Sequence, residues 1–326
     1  LAETIGVLVA GITAIICALS GLGVWSLVAQ VLLSTFVMTL LLWFFSKWRP
    51  RFMWSPKAIK DIFHFSANVT GFNIINYFAR NVDYLLIGKF LGSEALGYYT
   101  LAYKLMMYPL QNISWVLGQV MFPAFSKIQD NLAKVREVYL KMVKFVALVS
   151  FPMMMGLFLV AHDFIVVLYG SQWIPVIPIL KILCFCGLIQ VISTLMGNIL
   201  LSQGKANVHF RLGFIGALFA VLSFTIGVQY GVIGVALAYT LVQFIWQPYA
   251  QGVINKIILL SWKSFIASLV SPVSLIILMF LSVQFIGTFS ENMGTRLIIM
   301  IITGIFTVSF YLVFIEKNFL KELIKK

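Results

Sequence analysis

Residues 73–84 read Asn-Ile-Ile-Asn-Tyr-Phe-Ala-Arg-Asn-Val-Asp-Tyr inside an apolar stretch long enough to cross a bilayer. Asn73, Asn76, Tyr77, Arg80, Asn81 and Tyr84 fall at offsets 0, 3, 4, 7, 8 and 11, which trace one stripe along a helix. An ionisable residue at mid-bilayer costs about 2.5–3.5 kcal/mol on insertion scales, so it normally faces a cavity or a partner. Polar or amphipathic side chains gathered on a single stripe, an arginine among them, predict a helix that lines water. Asp83 stands three residues beyond Arg80, within reach of a local pair, and is a candidate for ion coupling.

Two further stretches repeat the theme more weakly. Asn112, Trp115 and Gln119 share a face at offsets 0, 3 and 7, with Pro109 placed to kink the same helix. Gln190, Ser193, Thr194 and Asn198 share another, with Lys181 a few turns away. Such residues either line a cavity or join neighbouring helices by hydrogen bonds, and spacing alone leaves both readings open. Chemistry of other kinds finds no support. His64, His162 and His209 are far apart, and Cys17, Cys184 and Cys186 sit in apolar stretches with nothing to complete a metal shell. No nucleophile elbow, zinc-protease or Walker A motif is present. The expectation is no cofactor, no metal and no enzymatic activity.

The elements that must hold these stripes are membrane helices. Of 326 residues 61% are hydrophobic and only 10% charged, against about 25% charged in a soluble domain. The polar surface is too small to coat a water-facing body. Apolar runs of spanning length cover, approximately, 5–22, 25–46, 67–91, 101–125, 142–161, 174–201, 210–229, 232–253, 264–286 and 295–315. The fold class is therefore all-α integral membrane, with about ten transmembrane helices. Glycines punctuate the gaps at Gly21, Gly23, Gly92, Gly170, Gly204, Gly231 and Gly287.

Net charge is +13. In a soluble protein that would suggest nucleic acid, but here the basic residues occupy short gaps between spans, so no nucleic acid partner is expected. Eighteen Lys and Arg collect in alternate gaps and the tail, around Lys47–Lys60, Lys127–Lys144, Lys205–Arg211, Lys256–Lys263 and Lys317–Lys326; the opposite gaps hold only Lys89, Lys104 and Arg296. By the positive-inside rule both ends of this chain are cytoplasmic. Within the first basic gap, Ser55-Pro56 begins a short helix predicted to lie in the interface, with Ile59, Ile62 and Phe63 on one face. Asp130 is placed to cap a basic helix that runs into the fifth span.

Gly23-Val24-Trp25-Ser26-Leu27-Val28-Ala29 opens the second span and Gly234-Val235-Ala236-Leu237-Ala238-Tyr239 the eighth. Six spans apart, the two copies insert the same way up, as parallel repeats do. Together with Trp48-Arg49-Pro50, Asn76-Tyr77-Phe78-Ala79-Arg80-Asn81-Val82-Asp83, Leu85-Leu86-Ile87-Gly88-Lys89-Phe90-Leu91-Gly92, Leu96-Gly97-Tyr98-Tyr99, Pro109-Leu110-Gln111-Asn112, Phe122-Pro123-Ala124-Phe125 and Leu168-Tyr169-Gly170-Ser171-Gln172-Trp173, the first of these stretches resembles the Wzx-type polysaccharide flippases, nearest their WzxC-like branch. These belong to the multidrug/oligosaccharidyl-lipid/polysaccharide (MOP) superfamily. The resemblance is dense from about residue 5 to 255.

It implies a fourteen-helix, two-lobe transporter that carries undecaprenyl-pyrophosphate-linked oligosaccharide across the bacterial cytoplasmic (inner) membrane by alternating access. On that template residues 1–46 are the last two helices of the N-lobe and 47–66 a cytoplasmic interfacial segment. Residues 67–255 are the complete six-helix C-lobe, and 256–326 two additional helices with a basic tail. The chain, which opens Leu1-Ala2-Glu3 with neither Met nor a basic leader, would then be a fragment lacking four N-terminal helices. The resemblance puts Arg80 against pyrophosphate or an acidic sugar, with Asn73, Asn76, Tyr77, Asn81, Tyr84, Asn112 and Gln119 as cavity lining. Partners implied are the lipid-linked oligosaccharide, the phospholipid bilayer and the polysaccharide polymerase machinery. A cation-coupled drug exporter of the same superfamily and a membrane glycosyl ligase are the alternatives; the short, nearly uncharged external gaps speak against the ligase.

Overall fold

The computed structural model describes residues 2–46, 56 and 81–324, and within these the side chains other than those of 113–120, 122–123, 206, 320 and 322–324. No strand occurs among the described residues. The sequence accounts for this: in hydrocarbon every backbone N–H and C=O must be satisfied within its own segment, and a helix does so. The chain divides into two compact units, Leu1–Thr70 and Gly71–Lys326.

The first unit holds α1 (Ala2–Leu19) and α2 (Trp25–Phe45), which pack against each other along their length. Gly6 makes the close approach possible, because a Cβ there would stand 3.0 Å from the Ser34 carbonyl oxygen. The turn between them needs left-handed backbone at Gly21 (φ 82°) and Gly23 (φ 51°), which glycine adopts without a steric penalty. The outward faces carry Leu8, Ile12, Ile16, Val31, Leu32 and Phe36, all exposed, a surface suited to lipid and not to water.

The second unit contains the helical segment α3 (81–90), then α4 (Gly92–Lys127), α5 (Leu132–Tyr169), α6 (Val176–Ser202), α7 (Ala206–Gly227), α8 (Gly231–Ile257), α9 (Trp262–Gly287), α10 (Met293–Phe310) and the short α11 (Lys317–Ile324). Helix α6 is the hub: it packs against α4, α5, α7 and α8. Its sequence is mostly apolar, and Ile179, Leu183, Cys186, Leu195 and Ile199 are fully buried. Cys184 and Cys186 are buried fillers of this core.

Seven stretches among the described residues are long and apolar enough to cross a membrane, and one of them, Asn207–Ile257, covers both α7 and α8. These account for eight of the ten expected spans. The third expected span lies largely outside the described residues. The fourth is α4, which has the length but is too polar to qualify. It also starts earlier than expected, at Gly92 and not near 101, because Gly92 (φ 87°) turns the chain directly from α3 into α4.

The basic gap after α4 departs from expectation in one detail. Helix α5 begins at Leu132, and its cap is Asn131, whose side chain accepts from the Lys134 N–H at 3.0 Å; Asp130 lies one residue too early to cap it. Asn131→Ala is expected to cost about 1 kcal/mol of stability, read as a lower unfolding midpoint, whereas Asp130→Ala changes little. The first turns of α5 are then tied to the end of α8. Arg136 donates to the carbonyls of Ile258 and Leu259 (3.3 and 3.2 Å), holding Leu259 in its left-handed conformation (φ 54°). Below it Tyr139 donates to Gln251 at 2.7 Å, and Gln251 to Asn255 at 2.8 Å, all three buried. The interfacial helix expected from Ser55 lies outside the described residues, apart from Pro56.

A candidate polar face and a buried carboxylate

Helix α4 presents two contrasting faces. Tyr99, Ala102, Met106, Leu110 and Phe125 are buried in the core, on the side that packs against α6. Lys104, Tyr108, Gln111 and Asn112, at offsets 0, 4, 7 and 8, are exposed. Elsewhere in this unit the exposed side chains of the long helices are mostly Leu, Ile, Val and Phe. A lysine, a tyrosine and two amides in a row are a surface for water or for a polar ligand. Asn112 is on this exposed face, and its amide donates to the Tyr108 carbonyl at 2.8 Å. The side chains of Trp115 and Gln119 lie outside the described residues. Lys104, Tyr108 and Gln111 were not anticipated as lining residues, although their helical spacing with Asn112 is visible in the sequence.

Of the stripe on the third span, Asn73, Asn76, Tyr77 and Arg80 lie outside the described residues, and Asn81 and Tyr84 lie within them, as does the neighbouring Asp83. Asn81 and Tyr84 are half-buried. Asp83 is 3% exposed and accepts from the Tyr99 hydroxyl at 3.2 Å and from the Tyr84 N–H at 2.9 Å. Its surroundings are aromatic. Tyr99 and Tyr103 stack with centroids 5.9 Å apart, and Tyr84 meets both edge-on at 6.0 and 6.2 Å. The Tyr103 hydroxyl faces Gln190 of α6. Buried carboxylates are retained only when hydrogen-bonded or paired, and here α4 supplies a donor to α3. The structure thus brings Asp83 into the packing between helices. The tyrosines could be anticipated only by knowing that α3 folds back on α4.

Two of the polar residues of α6 turn inward on their own helix. Ser193 and Thr194 bond back to the carbonyls of Gln190 and Val191 in their own helix (2.6 and 2.7 Å), a local use that competes with contacts between helices. Lys181 lies 5.5 Å above the ring of Phe158. An open groove of about 480 Å³ on the outer side of α7 and α8 is lined by Ile215, Phe219, Val242, Ile245, Trp246 and Tyr249. It lacks the charged and amide groups that a sugar or phosphate needs. The α4 face is the better candidate.

These features define a class: a multi-span α-helical membrane protein with a long helix whose polar face is kept out of the core. A model of the polysaccharide biosynthesis protein family matches residues 1–178, and the chain belongs to that family. It is 33% identical over 227 residues to the teichuronic acid biosynthesis protein TuaB of Bacillus subtilis, covering 69% of this chain and 47% of TuaB. It is 31% identical over 245 residues to the lipopolysaccharide biosynthesis protein WzxC of Escherichia coli, covering 74% and 50%. The chain thus spans about half the length of these relatives. Among solved structures, the lipid II flippase MurJ in an inward closed conformation superposes with a TM-score of 0.73 at 17% identity, over 99% of this chain and 68% of that one. At that identity the likeness concerns the fold.

Proposed function

We propose that this protein is part of a flippase for lipid-linked oligosaccharide, moving an undecaprenyl-pyrophosphate-linked sugar across the bacterial cytoplasmic membrane by alternating access. The single observation that carries the reading is the exposed polar face Lys104–Tyr108–Gln111–Asn112 on a long helix whose opposite face, Tyr99, Ala102, Met106 and Leu110, is buried in the core, in a chain of the polysaccharide biosynthesis family. A glycan headgroup needs hydrogen-bonding side chains along its path, and its pyrophosphate needs a cation. Arg80 supplies the planar donor fork suited to phosphate, and Lys104 a second positive charge. Asn73, Asn76, Tyr77, Asn81, Tyr84, Asn112 and Gln119 offer hydrogen bonds and ring faces to sugar.

In this reading residues 67–255 form one six-helix lobe and residues 1–46 belong to the other. Residues 47–66 lie along the cytoplasmic interface, and 256–326 add a helix pair. Both ends of the chain are cytoplasmic, and the exported sugar passes to the polymerase machinery. Transport, not catalysis, is the activity. The buried Asp83 favours coupling to an ion or a pairing role inside the lobe, the feature a cation-coupled exporter would share.

The protein reconstituted in vesicles, titrated with a fluorescent polyprenyl-pyrophosphate sugar and separately with a lipophilic cationic dye, tests the assignment. Saturable binding of the lipid-linked sugar, competed by unlabelled sugar lipid and not by dye, is expected. Saturable binding of the dye alone would assign the protein to drug export.

A further inference from the structure

The pair α9–α10 meets α5 at three levels. At one end the Arg296 guanidinium grips the Asp163 carboxylate with a fork: Nε to Oδ2 and Nη2 to Oδ1, both at 2.5 Å, with the Asp163 side chain only 5% exposed. His162 Nδ1 adds a contact at 3.0 Å. At the middle, Met279 of α9 ends between two glycines. A Cβ on Gly156 of α5 would stand 3.1 Å from its terminal methyl, and one on Gly304 of α10 would stand 2.9 Å away. At the other end Lys144 Nζ of α5 lies 2.8 Å from Glu316 Oε2. Glu316 also accepts from Ser271 of α9, and the Tyr311 hydroxyl donates to the Ser271 carbonyl at 3.1 Å.

The three levels share one register. Going from 163 to 156 to 144 on α5 corresponds to going from 296 to 304 to 316 along α10 and the turn at its end. Steps of seven and twelve residues match steps of eight and twelve, so the helices run antiparallel without slippage. At about 1.5 Å per residue, Lys144 and Asp163 are roughly 28 Å apart, close to the thickness of a hydrocarbon core. The charged contacts thus stand near its two edges. The glycine socket sits between them, where a charge would cost most. A π-helical turn, Tyr311–Ile315, immediately precedes Glu316; such turns insert a residue and re-aim the side chains beyond them.

We infer that α9–α10 is fastened to α5 as one rigid body, with Asp163–Arg296 and Lys144–Glu316 acting as positioning pairs at either end of the seam. On the alternating-access reading proposed above, the pair is therefore an integral part of the moving lobe and not a separate appendage. A slip of one helical turn would break both pairs at once and drive Met279 into backbone, so conformational change takes place at other seams.

The full chain in nanodiscs tests this. With Cys17, Cys184 and Cys186 replaced by alanine, spin labels on Leu168→Cys in α5 and Ile305→Cys in α10, both exposed, report the distance across this seam. A single narrow distribution is expected, and it broadens when Arg296→Gln and Glu316→Gln are combined. Independently, thermal unfolding of Asp163→Asn, Arg296→Gln and the double variant should show coupling of about tenfold in the unfolding equilibrium; this remains measurable if the combined variant folds poorly. A distribution as narrow with both pairs cut as with both intact, or additive effects of the Asp163 and Arg296 substitutions, overturns the inference.

Discussion

Replacing Arg80 by alanine, tested as the equivalent substitution in a full-length homologue, should lower polymer export by tenfold or more in a flippase-deficient host, with protein levels in the membrane unchanged. Charge-assisted hydrogen bonds to phosphate are worth about 1.5–3 kcal/mol, so loss of one such contact on an anionic substrate is at least a tenfold effect. Arg80→Lys should recover part of the activity, because it keeps the charge and loses the two-pronged geometry. Lys104→Ala should have a smaller effect in the same direction, because an ammonium on an exposed face interacts more weakly than a buried or forked one. The ordering Arg80→Ala below Arg80→Lys below Lys104→Ala, measured as surface polymer per cell, separates a role in substrate contact from a role in folding. Undiminished export by Arg80→Ala would remove this residue from the substrate path.

Much of this architecture can be read from residue order, for identifiable reasons. A membrane span is a run of apolar residues of fixed length, and nearly every turn signal is a glycine whose backbone the fold requires to be left-handed: Gly21, Gly23, Gly92, Gly170, Gly204 and Gly231 all have positive φ. Local periodicity likewise places Asn112 on an exposed face. Partnerships made across helices are the part that residue order hides. Asp83 accepts from the hydroxyl of Tyr99, sixteen residues on, because Gly92 folds α4 back alongside α3. Arg296 reads as a stray charge in an external gap, and only the packing of α10 on α5 shows that it answers Asp163. Two polar residues of α6 are misleading in the opposite sense. Ser193 and Thr194 look like connectors between helices and instead satisfy themselves on their own backbone. Asp130 and Asn131 are both good caps by type, and the register of α5 decides between them.

The second large effect is expected at the α7–α8 hairpin, where one chemical change should act with opposite signs at two glycines. Gly227 ends α7, the short turn Val228–Tyr230 comes next, and Gly234 lies in the first turn of α8. A Cβ on Gly234 would stand 2.5 Å from the Gly227 carbonyl oxygen and 2.6 Å from Tyr230 Cβ, while one on Gly227 would meet the Gly234 oxygen and Val235 Cα at 2.7 Å. These obstacles are mostly main chain and cannot swing aside, unlike the Trp246 indole that closes over Gly216. Gly234→Ala is therefore expected to destabilise the protein by about 2–3 kcal/mol, the upper part of the range for overpacking, and to lower the unfolding midpoint in detergent. Gly213, in α7 of the same hairpin, has no atom within 4 Å of a would-be Cβ. There the methyl group meets no obstacle and removes the helix penalty of glycine, so Gly213→Ala should stabilise by about 0.5–1 kcal/mol. Because both positions are glycine in helix, propensity predicts the same sign for both. Only the close approach of the two backbones predicts a split, and two substitutions that shift the midpoint in the same direction would rule it out.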